Sequence, residues 1–275
     1  MLYLICTPIG NLNDFSIRSI NTLRDVDFIY AEDTRKSAKL FQHFDIKKKC
    51  LAYHEHNESF LADEIINHLH KGLDVAVISD AGAPLISDPG FPLVQACIEE
   101  KLMFTVIPGP SSVINAFILA GHPSNQFTFH GFMPRSRAAR ASAAQELKGS
   151  GVSSIFFESS KRITKTIEIF HSFLPADTEI SICREMTKIH ESIYRGTIAE
   201  INQKIINSEI KLLGEFVLVV YSPSSHSNEF VMDERFCKPF LEYLPPSDAS
   251  KLIAKITEHS KQDVYKYLLS ISKSP

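Results

Sequence analysis

The chain has 275 residues, of which 44% are hydrophobic and 22% are charged, and its formal net charge is -3 at pH 7. These values exclude a disordered or collagen-like chain, and the length suits two globular domains and a tail. The slightly negative charge gives no support for a dedicated nucleic-acid binder, and the lack of a membrane-length apolar run or signal peptide predicts a cytoplasmic protein without membrane contact.

The first 121 residues alternate short apolar segments with segments of helical periodicity. Strands are predicted over residues 2–6, 28–31, 51–53, 75–79 and 105–107. Between them, apolar side chains recur at helical spacing behind Ser16 (Ile17, Ile20, Leu23) and behind Ser59 (Leu61, Ile65, Ile66, Leu69), and we expect the two serines to cap those helices. The alternation predicts an N-terminal α/β domain over residues 1–121, with a largely parallel sheet covered by helices on both faces.

A second set of the same elements follows Gly121-His122-Pro123 and predicts a C-terminal α/β domain over residues 122–222. Its strands are expected over residues 127–131, 154–158, 179–184, 191–195 and 216–221. Residues 223–232 are polar and rich in turn formers, which indicates a linker. Residues 233–275 show only helical patterns and predict a tail of three helices, over 236–244, over 249–259 behind a Ser247-Asp248 cap, and over 263–271.

Three turns rich in glycine, proline and small polar residues come directly after predicted strands, where open α/β sheets hold their ligands. They are TPIGNL at residues 7–12, SDAGAPLISDPG at residues 79–90 and PGPSS at residues 108–112. The last leads into a predicted helix, whose N-terminal amides suit a carboxylate or another anion. Each turn alone is equally well explained as a chain reversal, but three at one sheet edge favour a ligand crevice.

Other common site types are excluded by inspection. The chain has no G-x-G-x-x-G, Walker, H-E-x-x-H or G-x-S-x-G motif. The segment His54-Glu55-His56 offers too few well-spaced ligands for a metal, so we interpret it as a solvated or substrate-facing loop and expect no metal site. The five cysteines are scattered without a C-x-x-C pair, and we expect free thiols.

These motifs resemble the tetrapyrrole methylase superfamily, and within it the ribosomal RNA small subunit methyltransferase I group. The resemblance runs in order through both predicted α/β domains, and the helical tail is similar to the extra module of that group. The matching segments are TPIGNL (7–12), AEDTR (31–35), the turn over 79–90, IPGPSS (107–112), GFMP (131–134), FFES (156–159), REMTK (184–188) and GE (214–215).

The resemblance implies a homodimer that binds S-adenosylmethionine between its two α/β domains. The implied acceptor is a cytidine ribose 2′-hydroxyl of 16S ribosomal RNA in the small ribosomal subunit. Carried over to matching positions, the donor-binding residues are Pro8, Asp80, Gly82, Ala83, Ile86, Ser87, Ser111, Ser112, Phe157 and Gly214. Asp80 or Asp88 would stabilise the sulfonium cation by its negative charge. Ala83 departs from the family pattern, because many members carry Asp there and the RNA-modifying group often carries Thr.

Transfer to a hydroxyl needs only a modest base, and four carboxylates are candidates: Glu32, Asp33, Glu158 and Glu185. Glu32 and Asp33 rank first, because they follow a strand beside Arg35. A helix start capped by Asp33 or Thr34 explains that segment equally well.

Substrate contacts are expected at Asn11, Arg35, Arg135, Arg137, Arg184 and Lys188. Wider basic stretches include Arg140, Lys36, Lys39 and residues 47–49, and the lysines of the tail offer a third surface at Lys251, Lys255, Lys261 and Lys266. Two other functions stay open at this stage. One is a methylase of the same superfamily that acts on a corrin-type ring, and the other is a non-catalytic nucleotide- or RNA-binding protein.

Overall fold

A computed structural model describes residues 1–54, 57–223, 233–257 and 259–272, without the side chains of Ser59 and Arg235. The chain divides into two compact units, Met1–Ser222 and Pro223–Pro275. All but the first residue of the predicted linker over 223–232 lies outside the described residues, as do Glu55 and His56 of the His54-Glu55-His56 segment.

The first sheet is formed by five parallel strands in the order β3-β2-β4-β1-β5. The strands are β1 (Leu2–Ile5), β2 (Phe28–Ala31), β3 (Cys50–Ala52), β4 (Val75–Ile78) and β5 (Phe104–Ile107). Its helices are α1 (Ile17–Asp25), α2 (Thr34–His43), α3 (Glu58–His70), α4 (Phe91–Glu99) and α5 (Ser112–Ala120). Along β4, Val75 and Val77 enter one core cluster and Ala76 and Ile78 the other. Both faces are therefore buried, and the predicted parallel sheet is confirmed.

The second sheet also has five strands, in the order β6-β7-β10-β8-β9, but most of its pairs are antiparallel. The strands are β6 (Phe127–Phe132), β7 (Ser153–Ser159), β8 (Glu179–Arg184), β9 (Ser192–Thr197) and β10 (Glu215–Tyr221), and the helices are α6 (Arg137–Leu147), α7 (Ile163–Phe173) and α8 (Ile198–Ile206). Strands lie where the sequence predicts them. The antiparallel β8–β9 pair follows from the short loop over residues 185–191, because a connection of that length cannot join parallel neighbours.

Helix starts in the first half match the predictions only in part. The Ser16 hydroxyl accepts the Ser19 N–H at 3.0 Å, so the predicted cap of α1 is confirmed. Ile17, however, is 78% exposed and does not belong to the buried stripe. The predicted cap at Ser59 is wrong, because α3 already begins at Glu58 and Asn57 occupies the cap position.

The second unit consists of α9 (Glu234–Tyr243), α10 (Pro246–Thr257) and α11 (Lys261–Ile271). Its core is formed by five buried side chains, Cys237, Ala249, Ile253, Val264 and Leu268. The predicted Ser247-Asp248 cap is wrong, because α10 begins one residue earlier at Pro246, a residue that suits a first helical position since it needs no N–H acceptor.

All five cysteines are free, and all but Cys50 are buried. Among the residues that the structure describes, no group of three or more His, Cys, Asp or Glu side chains is placed to hold a metal ion. In the same part of the chain, no helix has both the length and the apolarity to cross a membrane.

Candidate functional site

A pocket of about 460 Å³ lies between the two sheets of the first unit. One wall comes from segments that follow β1, β2, β4 and β5, because the carboxyl ends of parallel strands meet at the same sheet edge. The other wall comes from the ends of β6, β7 and β8 and from the start of β10. A volume of this size is ordinary for a site that holds a small molecule or cofactor.

The pocket brings together nine of the ten residues that the resemblance assigns to the donor. They are Asp80, Gly82, Ala83, Ile86, Ser87, Ser111, Ser112, Phe157 and Gly214. Pro8 is not among the lining residues, and its neighbour Ile9 lines the pocket instead. The three glycine-rich and proline-rich turns therefore share one site.

The first two turns are joined by a two-way backbone bridge between Thr7 and Gly82. Thr7 N–H donates to the Gly82 carbonyl at 2.9 Å, and Gly82 N–H donates to the Thr7 carbonyl at 3.0 Å. The Ser79 hydroxyl adds a hydrogen bond of 2.7 Å to the Gly82 carbonyl. Gly82 has a φ of +89°, which is why a glycine is needed there. The bridge fixes the pocket floor.

The turn after β4 also holds two non-glycine residues in the left-handed region. Leu85 has a φ of 69° and Ser87 a φ of 67°. Such conformations are costly and persist where the surroundings impose them, often at functional sites. Ser87 lines the pocket, so the strain lies at the site itself.

The N-terminus of α5 points its first turn at the pocket. Ser111 caps this helix by accepting the Ile114 N–H at 3.4 Å, and Ser111, Ser112 and Val113 all line the pocket. The first turn of a helix has backbone N–H groups without helical partners and a partial positive charge. This end of the pocket therefore suits a carboxylate.

Carboxylates dominate the side of the pocket formed by β2 and β4. Asp80 accepts the Asp33 N–H at 2.9 Å and pairs with Lys36 at 2.7 Å. Asp88 differs, because its buried Oδ2 has no hydrogen-bond partner among the described residues. Burial, reinforced by the charges of Glu32 and Asp80, raises the pKa of Asp88 to about 7. This negative region suits a cationic ligand.

An apolar wall faces the carboxylates. Phe157 lines the pocket, and its ring meets those of Phe129 and Phe132 edge-on, at centroid distances of 4.9 and 5.3 Å. Met186 adds a flexible thioether to the same wall. Aromatic faces of this kind suit a flat ring such as adenine.

The four predicted bases have different surroundings. Glu32 lines the pocket. Asp33 lies outside it and caps α2, where its carboxylate accepts the Arg35 N–H at 2.9 Å and pairs with the guanidinium at 2.8 Å. These Arg35 hydrogen bonds hold the pKa of Asp33 far below its ordinary range. The capping interpretation of this segment is therefore correct for Asp33, and a role as base is not supported.

Glu158 and Glu185 also hold structural partners. Glu158 lines the pocket, yet its carboxylate accepts from Ser159 N–H, from the Thr166 hydroxyl and from Arg162, at 2.6 to 2.7 Å. Glu185 accepts the Glu215 N–H at 2.8 Å and pairs with Lys188 at 3.1 Å. Both oxygens of Glu158 are engaged, and Glu185 does not line the pocket, so neither side chain is placed as a base.

None of the six predicted substrate residues is a pocket-lining residue. Arg184 is 5% exposed and donates to the carbonyls of Leu213 and His190, so its guanidinium is engaged inside the fold. Lys188 pairs with Glu185 and Glu215. Both basic side chains thus have partners within the chain, and their contact with the substrate stays a prediction.

The remaining predicted substrate residues lie on the surface. Asn11 accepts the Asn13 N–H with its side chain and donates its own N–H to the Thr187 hydroxyl at 3.0 Å. Arg35 is exposed but paired with Asp33. Arg135 and Arg137 are exposed, and no described acidic side chain forms an ion pair with either.

Several pocket residues lie outside the sequence predictions. They are Ile9, Ala81, Val113, Phe132, Ser159, Ser160, Cys183, Met186 and residues 215–217. Ile9, Phe132 and Met186 lie in segments that the sequence already identifies as motifs. The sequence therefore indicated these segments, but not these three residues within them. Cys183 and residues 216–217 carry no local signal, because β8 and β10 have the pattern of any buried strand.

The family model described as "Tetrapyrrole (Corrin/Porphyrin) Methylases" matches residues 1–202. The chain belongs to the tetrapyrrole methylase family. Members transfer a methyl group from S-adenosylmethionine, so this chain is a methyltransferase with S-adenosylmethionine as its cofactor.

Similar family members carry the name "Ribosomal RNA small subunit methyltransferase I". The protein of that name from Xylella fastidiosa strain Temecula1 is 40% identical over 265 residues, covering 96% of this chain and 97% of its own. The one from Halalkalibacterium halodurans is 43% identical over 219 residues, covering 80% and 75%. The one from Vibrio cholerae is 37% identical over 269 residues, covering 97% and 93%.

Solved structures of tetrapyrrole methylases share the fold at low identity. Uroporphyrin-III-C-methyltransferase from Thermus thermophilus superposes with a TM-score of 0.56 at 14% identity, covering 84% of this chain and 99% of that one. Cobalt precorrin-4 methyltransferase gives a TM-score of 0.53 at 16% identity, covering 80% and 94%. This structural similarity confirms the predicted fold class, an α/β fold of the tetrapyrrole methylase type with two consecutive sheets.

The pocket fits the cofactor of the tetrapyrrole methylase family in charge and shape. Asp80, Asp88 and Glu32 would supply carboxylates to the pocket, and negative charge stabilises a sulfonium cation. The N-terminus of α5 suits the carboxylate of the methionine part, and Phe157 suits the adenine. The residues present therefore satisfy all three parts of S-adenosylmethionine.

Proposed function

We propose that the chain methylates a cytidine ribose 2′-hydroxyl of 16S ribosomal RNA in the small ribosomal subunit. The observation that carries the proposal is the near full-length similarity to proteins named ribosomal RNA small subunit methyltransferase I, over 96% of this chain in the Xylella relative. A ribosomal substrate would also place the protein in the cytoplasm.

The chain's own residues would contribute mainly by positioning. When bound, S-adenosylmethionine supplies an electrophilic methyl group on a positively charged sulfur. The bridged Thr7–Gly82 floor, the α5 N-terminus and the aromatic wall would orient both reactants in one crevice. Alignment of this kind can lower a barrier by about 7 to 11 kcal/mol, so no strong base is required.

The test is transfer of radiolabelled methyl groups from S-adenosylmethionine to purified small subunits, followed by mapping of 2′-O-methyl groups on the RNA. Label at one cytidine ribose is expected. A panel of tetrapyrroles serves as the competing substrate, since the corrin-ring alternative shares this fold. Label in a tetrapyrrole and none in RNA would decide for that alternative. The non-catalytic alternative is overturned by membership in a methyltransferase family.

We propose that the loop after β6, together with the first residue of α6, contacts phosphates of the RNA through Arg135 and Arg137. Both side chains are exposed, whereas in the other basic stretch Lys36 and Lys47 are paired with aspartates. The double variant Arg135→Ala, Arg137→Ala is expected to weaken RNA binding and to reduce the slope of log K against log salt by about 1 to 2. Fluorescence anisotropy across a salt series measures this.

The matched control is Lys47→Ala with Lys49→Ala, which removes the same charge from another exposed segment. It is expected to leave the salt slope close to that of the parent chain. Equal effects of the two double variants would show that net charge alone governs RNA binding and would refute a specific role for the loop.

We also propose that α5 contributes to a homodimer contact. Ile114 and Ile118 lie one turn apart on this helix and are 43% and 69% exposed, an unusual pair of apolar side chains to leave in water. Ile118→Glu is expected to shift the molar mass in light scattering from two chains to one. Ile17→Glu, at an equally exposed isoleucine on α1, serves as the control, and a dimer that persists in Ile118→Glu would exclude this surface.

A further inference from the structure

We propose that Asp88 is the catalytic base, which accepts the proton of the acceptor hydroxyl as the methyl group is transferred. This inference rests on the proposed function, because it concerns a hydroxyl acceptor in the same pocket. Asp88 was expected only to hold the donor by its charge. Its place in the turn after β4 supports a different role.

Asp88 belongs to the turn after β4 and is half-buried. It lines the pocket next to Ser87 and close to Ile86, which is 46% exposed. Its Oδ2 is buried and has no hydrogen-bond partner among the residues that the structure describes. A buried carboxylate oxygen without a partner is costly, and in a pocket such an atom is available to a ligand. The orphaned oxygen therefore points to an acceptor hydroxyl.

Three of the other four pocket carboxylates, Asp80, Glu158 and Glu215, have charged or hydrogen-bonding partners. Asp80 accepts the Asp33 N–H and pairs with Lys36, and Glu158 accepts from three donors. A carboxylate with such partners is a weaker proton acceptor, because its charged form is already stabilised. None of the described residues gives Asp88 such stabilisation at Oδ2.

The charged groups around Asp88 oppose its ionisation. Glu32 and Asp80 face it from the ends of β2 and β4, and Lys36 from α2 partly offsets them. Glu58 of α3 accepts the Gly90 N–H behind the turn at 3.0 Å, and Tyr53 lies beside Gly90. Glu158 and Glu215 belong to the opposite wall. With burial as the main cause, the pKa of Asp88 rises to about 7, which suits a base that works near neutral pH.

The reaction step balances in atoms and charge. The hydroxyl oxygen forms a bond to the methyl carbon while the bond from that carbon to sulfur breaks, and the sulfur keeps the electron pair and becomes neutral. The proton of the hydroxyl goes to Asp88 Oδ2, which changes from carboxylate to carboxylic acid. Asp88 then releases this proton to water and is ready for another turnover.

Asp88→Asn is the central test, with Asp177→Asn as the matched control because Asp177 is an exposed aspartate outside the pocket. The single-turnover rate of the parent chain is expected to rise with pH through about 7. In Asp88→Asn the rate is expected to fall by about 100-fold or more and to lose this pH dependence. Asp88→Glu should keep the pH dependence, while Asp177→Asn should match the parent chain. A parental pH profile in Asp88→Asn would overturn the proposal.

A second measurement does not depend on activity. In the chain without donor, infrared spectra should show a protonated carboxyl band that disappears as pH rises through about 7 and that is missing in Asp88→Asn. In the unfolded chain the pKa of Asp88 lies near the ordinary aspartate value of about 4. The protonated carboxyl therefore stabilises the fold fully below about pH 4, and this stabilisation is lost as pH rises through the folded-state pKa of about 7. Asp88→Asn should therefore raise the Tm at pH 8 relative to the parent chain and leave it unchanged at pH 4.

The two proposals fail in different ways. If the parent chain transfers no methyl group to small subunits, the proposed function is wrong, while the infrared titration still reports on Asp88. If transfer occurs but the Asp88 carboxyl titrates near 4, Asp88 is not the base and the proposed function stands. Calorimetry with S-adenosylhomocysteine should give similar affinities for Asp88→Asn and the parent chain, because a base contributes to transfer more than to binding of this neutral product. A large loss of affinity would favour a structural role and overturn the proposal.

Discussion

Glu158→Ala is expected to lower the free energy of unfolding of the first unit by about 2 to 4 kcal/mol. The Glu158 side chain is fully buried and serves three donors, Ser159 N–H, the Thr166 hydroxyl and Arg162. Its removal leaves a mostly buried guanidinium and a buried hydroxyl without their acceptor, and part of the loss is offset because Arg162 is 24% exposed. Urea denaturation followed by circular dichroism measures the change.

Thr166→Val is the matched control, since it deletes one of the three hydrogen bonds and keeps the volume. It should cost about 1 kcal/mol. The Glu158 result also separates two roles for this residue. A variant as stable as the parent chain that has lost methyl transfer would mean that Glu158 acts in the reaction, against the structural role described above.

Gly10→Ala is expected to weaken binding of S-adenosylhomocysteine by roughly 10- to 100-fold. An added Cβ would lie 2.5 Å from Lys188 Cγ, 2.7 Å from Thr187 Oγ1 and 3.0 Å from the Met186 carbonyl. Ile9 and Met186 flank this contact and both line the pocket. Separation of the two loops would therefore widen the site from both walls, and calorimetry reports the loss.

Gly72→Ala controls for the general cost of replacing a glycine. Gly72 has a φ of +77°, and an added Cβ there would meet nothing within 4 Å. This variant should lose some stability through backbone strain and keep the parental affinity for S-adenosylhomocysteine. Parental affinity in Gly10→Ala as well would show that Thr187 and Lys188 move aside and that their contact does not shape the pocket.

The sequence predicts the first sheet well, because its strands are short, buried on both faces and separated by helices with one apolar side. The predicted donor residues share one pocket for a similar reason. A turn that follows a parallel strand has its place fixed by the strand, so Gly82 and Ser111 must lie near each other once β4 and β5 flank β1.

Roles that depend on partners distant in the chain are less predictable. Arg184 ends a strand and carries a charge, as a substrate residue would, but its guanidinium donates a hydrogen bond to the Leu213 carbonyl. Asp33 and Asp88 are both aspartates in motif segments, and only the structure distinguishes them. Asp33 caps a helix, whereas Asp88 has a buried oxygen without a hydrogen-bond partner in the described part of the chain. Local patterns locate the site, and long-range hydrogen bonds decide what each side chain can do there.

The position of β10 bears on when this enzyme becomes competent during its synthesis. β10 is the last strand of the first unit in the chain, yet it occupies the middle of the second sheet between β7 and β8. Until residues 214–217 have left the ribosome, the pocket lacks that wall and β7 and β8 lack their shared neighbour. A nascent chain can thus complete the parallel first sheet early, but it can bind the cofactor only after the late, long-range pairing of β10 with β7 and β8.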